Sequence, residues 1–109
     1  NTLSFTFAII VSGSASLTGS GGIAYLEADA NSFLGDPDAK FITSTAQVNG
    51  GVVCINGGGG DHIITLKGKV TTSTATTGSG GVGYIEGTGN SKSILTIEGA
   101  TAVVTGSKC

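Results

Sequence analysis

His62 is the only histidine in the chain, and it directly follows Asp61. A histidine oriented by a carboxylate is the base that a serine or cysteine nucleophile requires. The local sequence marks out no serine or cysteine as its partner, so a structural role is expected for the pair. Glu27 and Glu86 occupy equivalent places in a recurring segment. Two carboxylates at suitable separation hydrolyse glycosides, yet such enzymes work in large aromatic-lined grooves, and this chain has four Phe, two Tyr and no Trp. Pairing of the glutamates on a solvent face or between subunits is the expected use, with Lys67, Lys69, Lys92 or Lys108 as partners. Asp36 and Asp38 flank Pro37, with Asp29 nearby, and offer oxygen ligands of the kind calcium takes. Their spacing is not that of an EF-hand loop, and an acidic turn is the expectation. Two cysteines and one histidine are too few ligands for a structural zinc.

Gly78-x-Gly80-x-x-Gly83 has the spacing of a dinucleotide-binding loop. That loop works only where a strand leads in and a helix follows, because the helix N-terminus holds the pyrophosphate. Here Tyr84-Ile85-Glu86 follows, which reads as strand, so a tight turn is expected. The threonine-rich run 71–77 is the type of surface that binds ice when repeated on stacked strands, but it occurs once. No catalytic residue, metal site or cofactor is assigned, and the chain is not expected to be an enzyme.

Cys54 and Cys109 are the remaining reactive pair. An even cysteine count in a secreted chain suggests disulfides. An internal bond would close a loop of roughly 55 residues and stabilise by about 4 kcal/mol on the chain-entropy view. A bond between subunits is the other option, and it would give a covalently linked assembly. No asparagine lies in an Asn-x-Ser/Thr acceptor, so N-glycosylation is not expected.

The elements that must position these residues read as strands almost throughout. Glycine contributes 20 of 109 residues, charged residues are 11 %, and the net charge is −2. Low net charge with abundant Val, Ile and Thr argues for order, and for β-structure in particular. The few basic residues form no cluster, so nucleic acid is not an expected partner. No apolar run is long enough to span a membrane as a helix, and no small-molecule substrate is indicated. The chain starts at Asn1, which is read as a processed end and hence an extracellular location. Leu3, Phe5, Phe7, Ile9 and Val11 alternate with polar or small residues, the period of a half-buried strand. As the most apolar segment, it is the expected assembly element, and donation of this strand to a neighbouring subunit is one form that assembly could take.

Residues 18–32 recur as residues 77–91. Nine of these 15 positions are identical, among them Gly21/Gly80, Gly22/Gly81, Tyr25/Tyr84 and Glu27/Glu86. Each half is closed by a cysteine. The expectation is one all-β domain over residues 1–109, a tandem duplication of a roughly 55-residue unit (1–54 and 55–109). Short antiparallel strands would form a sandwich or a stacked β-array.

The Thr-Gly-Ser-Gly-Gly-(Ile/Val)-(Ala/Gly)-Tyr-(Leu/Ile)-Glu unit, with the size and composition, resembles the small major sheath proteins of filamentous methanogenic archaea. The resemblance implies an amyloid-like homopolymer in which subunits stack as β-layers into hoops and tubes. The residues agree with such a role, since natural sheet edges are guarded by charge and proline, and this chain has few charges and one Pro. A structural subunit of an extracellular sheath, tube or filament is the leading expectation. A soluble binding module of lectin or ice-binding type is the alternative.

Overall fold

The computed structural model describes residues 2–8, 10–89, 92–99 and 102–108. Among them every regular element is a strand. The chain winds as a parallel β-solenoid. The first coil holds β1 (Thr2–Phe7), β2 (Ile10–Ser12), β3 (Ala15–Ser16) and β4 (Ala24–Leu26). The second holds β5 (Ala30–Gly35), β6 (Lys40–Ile42), β7 (Thr45–Ala46) and β8 (Val53–Asn56). The third holds β9 (His62–Leu66), β10 (Lys69–Thr71), β11 (Thr74–Ala75) and β12 (Gly83–Glu86). β13 (Ser93–Ile97) and β14 (Val103–Thr105) belong to a fourth.

Equivalent strands stack into four faces. Face one is β1-β5-β9-β13, and face two is β2-β6-β10-β14. Face three is β3-β7-β11, extended by a bridge from Thr74 to Lys108, and face four is β4-β8-β12. Every strand pair is parallel.

Alternation along each strand selects what points inward. On face one, Phe5, Phe33, Ile64 and Leu95 are register partners in one column. On face two, Val11, Phe41, Val70 and Val104 form the matching column. Leu26, Ile55 and Ile85 close the core from face four. Phe33, Phe41, Leu26, Ile55, Ile64, Leu66 and Val70 are fully buried. Each such side chain contributes roughly 1.5–3 kcal/mol of transfer free energy. The Phe33 and Phe41 rings meet at a centroid distance of 5.9 Å and a 43° tilt. Gly35 leaves room for this contact, because a Cβ there would lie 3.0 Å from the Phe41 ring.

The corners are set by residues in the left-handed region. Between faces two and three stand Gly13 (φ 71°), Thr43 (55°), Thr72 (55°) and Gly106 (65°), one per coil. Between faces three and four stand Gly21 (72°), Gly50 (67°) and Gly80 (71°). The glycines that follow them, Gly22, Gly51 and Gly81, pass so close to the neighbouring coil that a Cβ would strike its backbone. These corners also stack by hydrogen bonds. Gly50 N donates to Ser79 O and Gly51 N to Gly80 O, both at 3.0 Å.

The expected antiparallel sandwich of two 55-residue units is therefore corrected. Strands are parallel, and register partners lie 28 (Thr2 and Ala30) to 34 (Lys69 and Val103) residues apart. The recurrence of residues 18–32 at 77–91 spans two coils. The intervening coil carries Cys54 between Tyr25 and Tyr84 in the same column. Its Gln47-Val48-Asn49-Gly50-Gly51 stands where the flanking coils have Thr-Gly-Ser-Gly-Gly, which conceals the shorter period. Inward–outward alternation is the same for parallel and antiparallel strands, so the pattern could not separate them. A solenoid meets the need of parallel strands for long crossovers by using the rest of each coil as the connection. The apolar stretch from Leu3 to Val11 is likewise divided. Phe5 lies on face one and Val11 on face two. The side chains of Leu3 and Phe7, and all of Ile9 and Cys109, lie outside the described residues.

Candidate functional site

Face four carries the residues with the most chemical character. On its outer side Tyr25, Cys54 and Tyr84 are register partners on three successive coils. Alternation puts them outward because Leu26, Ile55 and Ile85, their successors, point in. Cys54 is nevertheless only 2 % exposed. Burial raises its thiol pKa above the ordinary 9.0, with the Glu86 charge adding to the rise and a hydrogen bond with Ser20 opposing it. At neutral pH the group is a protonated thiol rather than a nucleophilic thiolate. Cys54 is a free cysteine in this structure. Its expected partner, Cys109, falls outside the described residues.

The tyrosines are tied to polar neighbours. Asn56 Nδ2 donates to the Tyr25 hydroxyl at 3.1 Å. The Tyr84 hydroxyl donates to Glu86 Oε2 at 3.1 Å, and that bond, followed by the Glu86 charge, holds the Tyr84 pKa above 10.0. Glu86 is the register partner of Asn56, and Glu27 follows Leu26, the partner of Ile55. The two glutamates thus flank Asn56 from opposite sides, roughly two strand spacings or about 9.5 Å apart along the backbone. Beside them Glu27, Ala28, Asp29, Asn56, Gly57 and Gly58 line an open cleft of about 350 Å³. Glu27 and Asp29 share this cleft, whereas Glu86 is not part of its wall. Of the lysines expected to pair with the glutamates, Lys67 instead approaches Glu98, with 3.9 Å between Nζ and Oε1.

His62 lies beneath this cleft and is fully buried. Its Nε2 donates to Gly58 O at 2.9 Å, and its Nδ1 faces Asn31 Nδ2 at 3.1 Å. A carbonyl can only accept and an amide NH₂ can only donate, so these partners select the neutral Nε2–H tautomer. Asn31 Nδ2 also donates to Ala28 O at 3.0 Å. Asn31 and His62 are register partners on adjacent coils. Together they pin the turns at Ala28 and Gly58, and Gly57 is required because a Cβ there would strike the imidazole. The histidine expected beside Asp61 thus takes its partners from an asparagine and a backbone carbonyl. Sequence reasoning passed over Asn31, whose place 31 residues before His62 is visible only once the coil length is known.

The acidic turn is also defined. Asp36 Oδ1 accepts from Asp38 N at 2.9 Å, and Asp36 O accepts from Ala39 N. This is an Asx-type turn leading into β6. Among the described residues, no three His, Cys, Asp or Glu side chains group as metal ligands. No helix among them is long and apolar enough to cross a membrane. The glycines of the nucleotide-like motif, Gly80 and Gly83, lie at a corner and on β12, with strand rather than helix after them.

The ends of the solenoid are the other candidate surface. At one end Phe5 and Ile10 are 43 % and 62 % exposed, and at the other Leu95 and Val103 are 48 % and 44 % exposed. No protein family, curated protein or solved structure matches the chain.

Proposed function

We propose that this chain is a structural subunit of an extracellular assembly, a sheath, tube or filament, in which β-coils of separate copies stack on one another. One observation carries the reading. On faces one and two the terminal strands β1, β2, β13 and β14 hold no charged residue (the ends of the other two faces carry Glu86 on β12 and Lys108 at the bridge), whereas Lys40 and Lys69 sit on the covered strands β6 and β10. Soluble proteins do the reverse, placing lysine, charge and proline on edges to block further pairing. Among the described residues these end strands have a neighbouring strand on one side only, and exposed Phe, Ile, Leu and Val side chains stand on them. Such an edge gains hydrogen bonds and apolar burial together when another strand is added.

The test is electron microscopy and fibre diffraction of the concentrated protein. Filaments or tubes with a reflection near 4.7–4.8 Å along the fibre axis are expected. A monodisperse monomer at millimolar concentration would overturn the proposal.

A further inference from the structure

Resting on that self-assembly reading, we infer that copies join head to tail: β1 and β2 of one copy pair in parallel with β13 and β14 of the next, in the register that already stacks the coils. The partner is a second copy of this chain, and the two contacting surfaces are different.

Four observations carry the inference. Continuing the face-one column beyond Leu95 sets Phe5 of the next copy over Leu95. Continuing the outer column of face two, Ile10-Lys40-Lys69-Val103, sets Ile10 over Val103. Phe5 and Ile10 of one end thus each meet an exposed apolar side chain of the other, Leu95 and Val103, while Ile94 falls over Ser4 and the lysines of the face-two column stay within each copy.

Direction is the second. All strands of a face run the same way, so a copy shifted along the axis extends the parallel ladders of faces one and two without a break, while face four, which ends at β12, is one strand short at the joint. An inverted copy would set antiparallel strands on parallel ones.

The shape of the coil is the third. Gly13 and Ser14 alone separate β2 from β3, whereas seven residues separate β3 from β4. A turned-over coil would place the long corner against the short one. A coil of the same sense superposes the short corner at Gly13 on the short corner at Gly106.

Area is the fourth. The described chain extends 33 × 31 × 17 Å. Four strands at about 4.8 Å spacing account for the short dimension, so the two broad surfaces are the solenoid ends. An ellipse of the two long axes covers about 800 Å², an upper limit on the contact because face four ends one coil short, and so at most the roughly 800 Å² per partner of a standard stable interface. Because the two surfaces differ and the operation is a shift along the axis, the contact does not close on itself and growth is open-ended.

The experiment blocks one end at a time in the full chain. Phe5→Asp disables the first end and Leu95→Asp the second; Ile10→Asp and Val103→Asp are a second pair at outward positions that leave the core untouched. Folding of each is checked by circular dichroism, and mass by light scattering. Each variant alone is expected to be monomeric. An equimolar mixture of a first-end and a second-end variant is expected to double in mass to a 1:1 dimer and grow no further. Dimers formed by one variant alone would show contact between like ends and overturn the inference. Continued polymerisation of a blocked variant would overturn it too, by placing the contact elsewhere, as would a mixture that stays monomeric while the unmodified chain polymerises. Failure of the unmodified chain to assemble would instead remove the self-assembly reading on which the inference rests.

Discussion

Phe33 and Phe5 are neighbours in one column of one face, yet Phe33 is fully buried and Phe5 is 43 % exposed. Their strands have the same alternation and the same inward direction. What differs is the number of coils that cover them. Phe33 has a strand on either side, β1 and β9, while β1 pairs only with β5 among the described residues. A solenoid coil does not enclose its own core; the coils above and below do that. The middle of the molecule is therefore a finished interior, and the ends are the same interior cut open.

The sharpest way to break the interior is at a corner. Gly51→Ala puts a Cβ into the backbone of the third coil, against Gly81 O and Thr74 N. A loss of about 4 kcal/mol or more is expected, in the range where a small domain ceases to fold. Gly59→Ala is the control. Its nearest neighbour would be Thr88 O at 3.8 Å, and a change within about 0.5 kcal/mol is expected. Equal effects in urea unfolding would refute the stacked corners.

The paired phenylalanines come next. Phe33→Ala is expected to cost about 3–5 kcal/mol through lost burial and the cavity left behind. Phe5→Ala is expected to change the unfolding free energy of an unassembled subunit by about 1 kcal/mol or less, and to raise the concentration needed for assembly. Comparable destabilisation at both sites would erase the distinction between middle and end.

Thr43→Gly should act in the opposite direction. Thr43 and Thr72 hold φ 55° where the end coils have Gly13 and Gly106, and a β-branched residue is strained there. Release of that strain, set against the backbone entropy of glycine, is expected to stabilise by about 0.5–1 kcal/mol. A lower unfolding midpoint would show that the Thr43 side chain makes contacts that outweigh the strain.

The smallest effect is a pH slope. The Cys54 thiol has its pKa raised in the folded chain, first by burial, so the folded state holds that proton more tightly than the unfolded one. Its contribution is complete below the ordinary value of 9.0 and is lost as pH rises through the folded value. Unfolding free energy is expected to decline as pH rises above 9.0, and Cys54→Ala is expected to flatten part of that slope. A steeper slope in the variant would contradict the assignment.

Much of the local structure was legible in the sequence. Glycine and β-branched residues indicated strands and tight turns, and the repeat-equivalent Tyr25 and Tyr84 stand in one column with Cys54 between them. The coil length was not legible, because the second coil replaces Tyr by Cys54 and Thr-Gly-Ser by Gln47-Val48-Asn49. The surviving signal was Ser20-Gly21-Gly22, Asn49-Gly50-Gly51 and Ser79-Gly80-Gly81, spaced by 29 and 30 residues. Asn49 keeps the role of the serines at this corner. Its Oδ1 accepts from Ser79 N at 2.8 Å, as Ser20 Oγ accepts from Asn49 N at 3.2 Å. The Asn31–His62 pair was hidden for the same reason, since only the coil length brings the two together.

The parallel register can be read directly by magnetic resonance on isotopically labelled protein, in solution or in assembled form. The account predicts that Val53 contacts both Ala24 and Gly83, and that Phe33 contacts Ile64. Contacts joining β5 to β6 or β9 to β10 as antiparallel hairpins, with none at spacings near 30 residues, would contradict it.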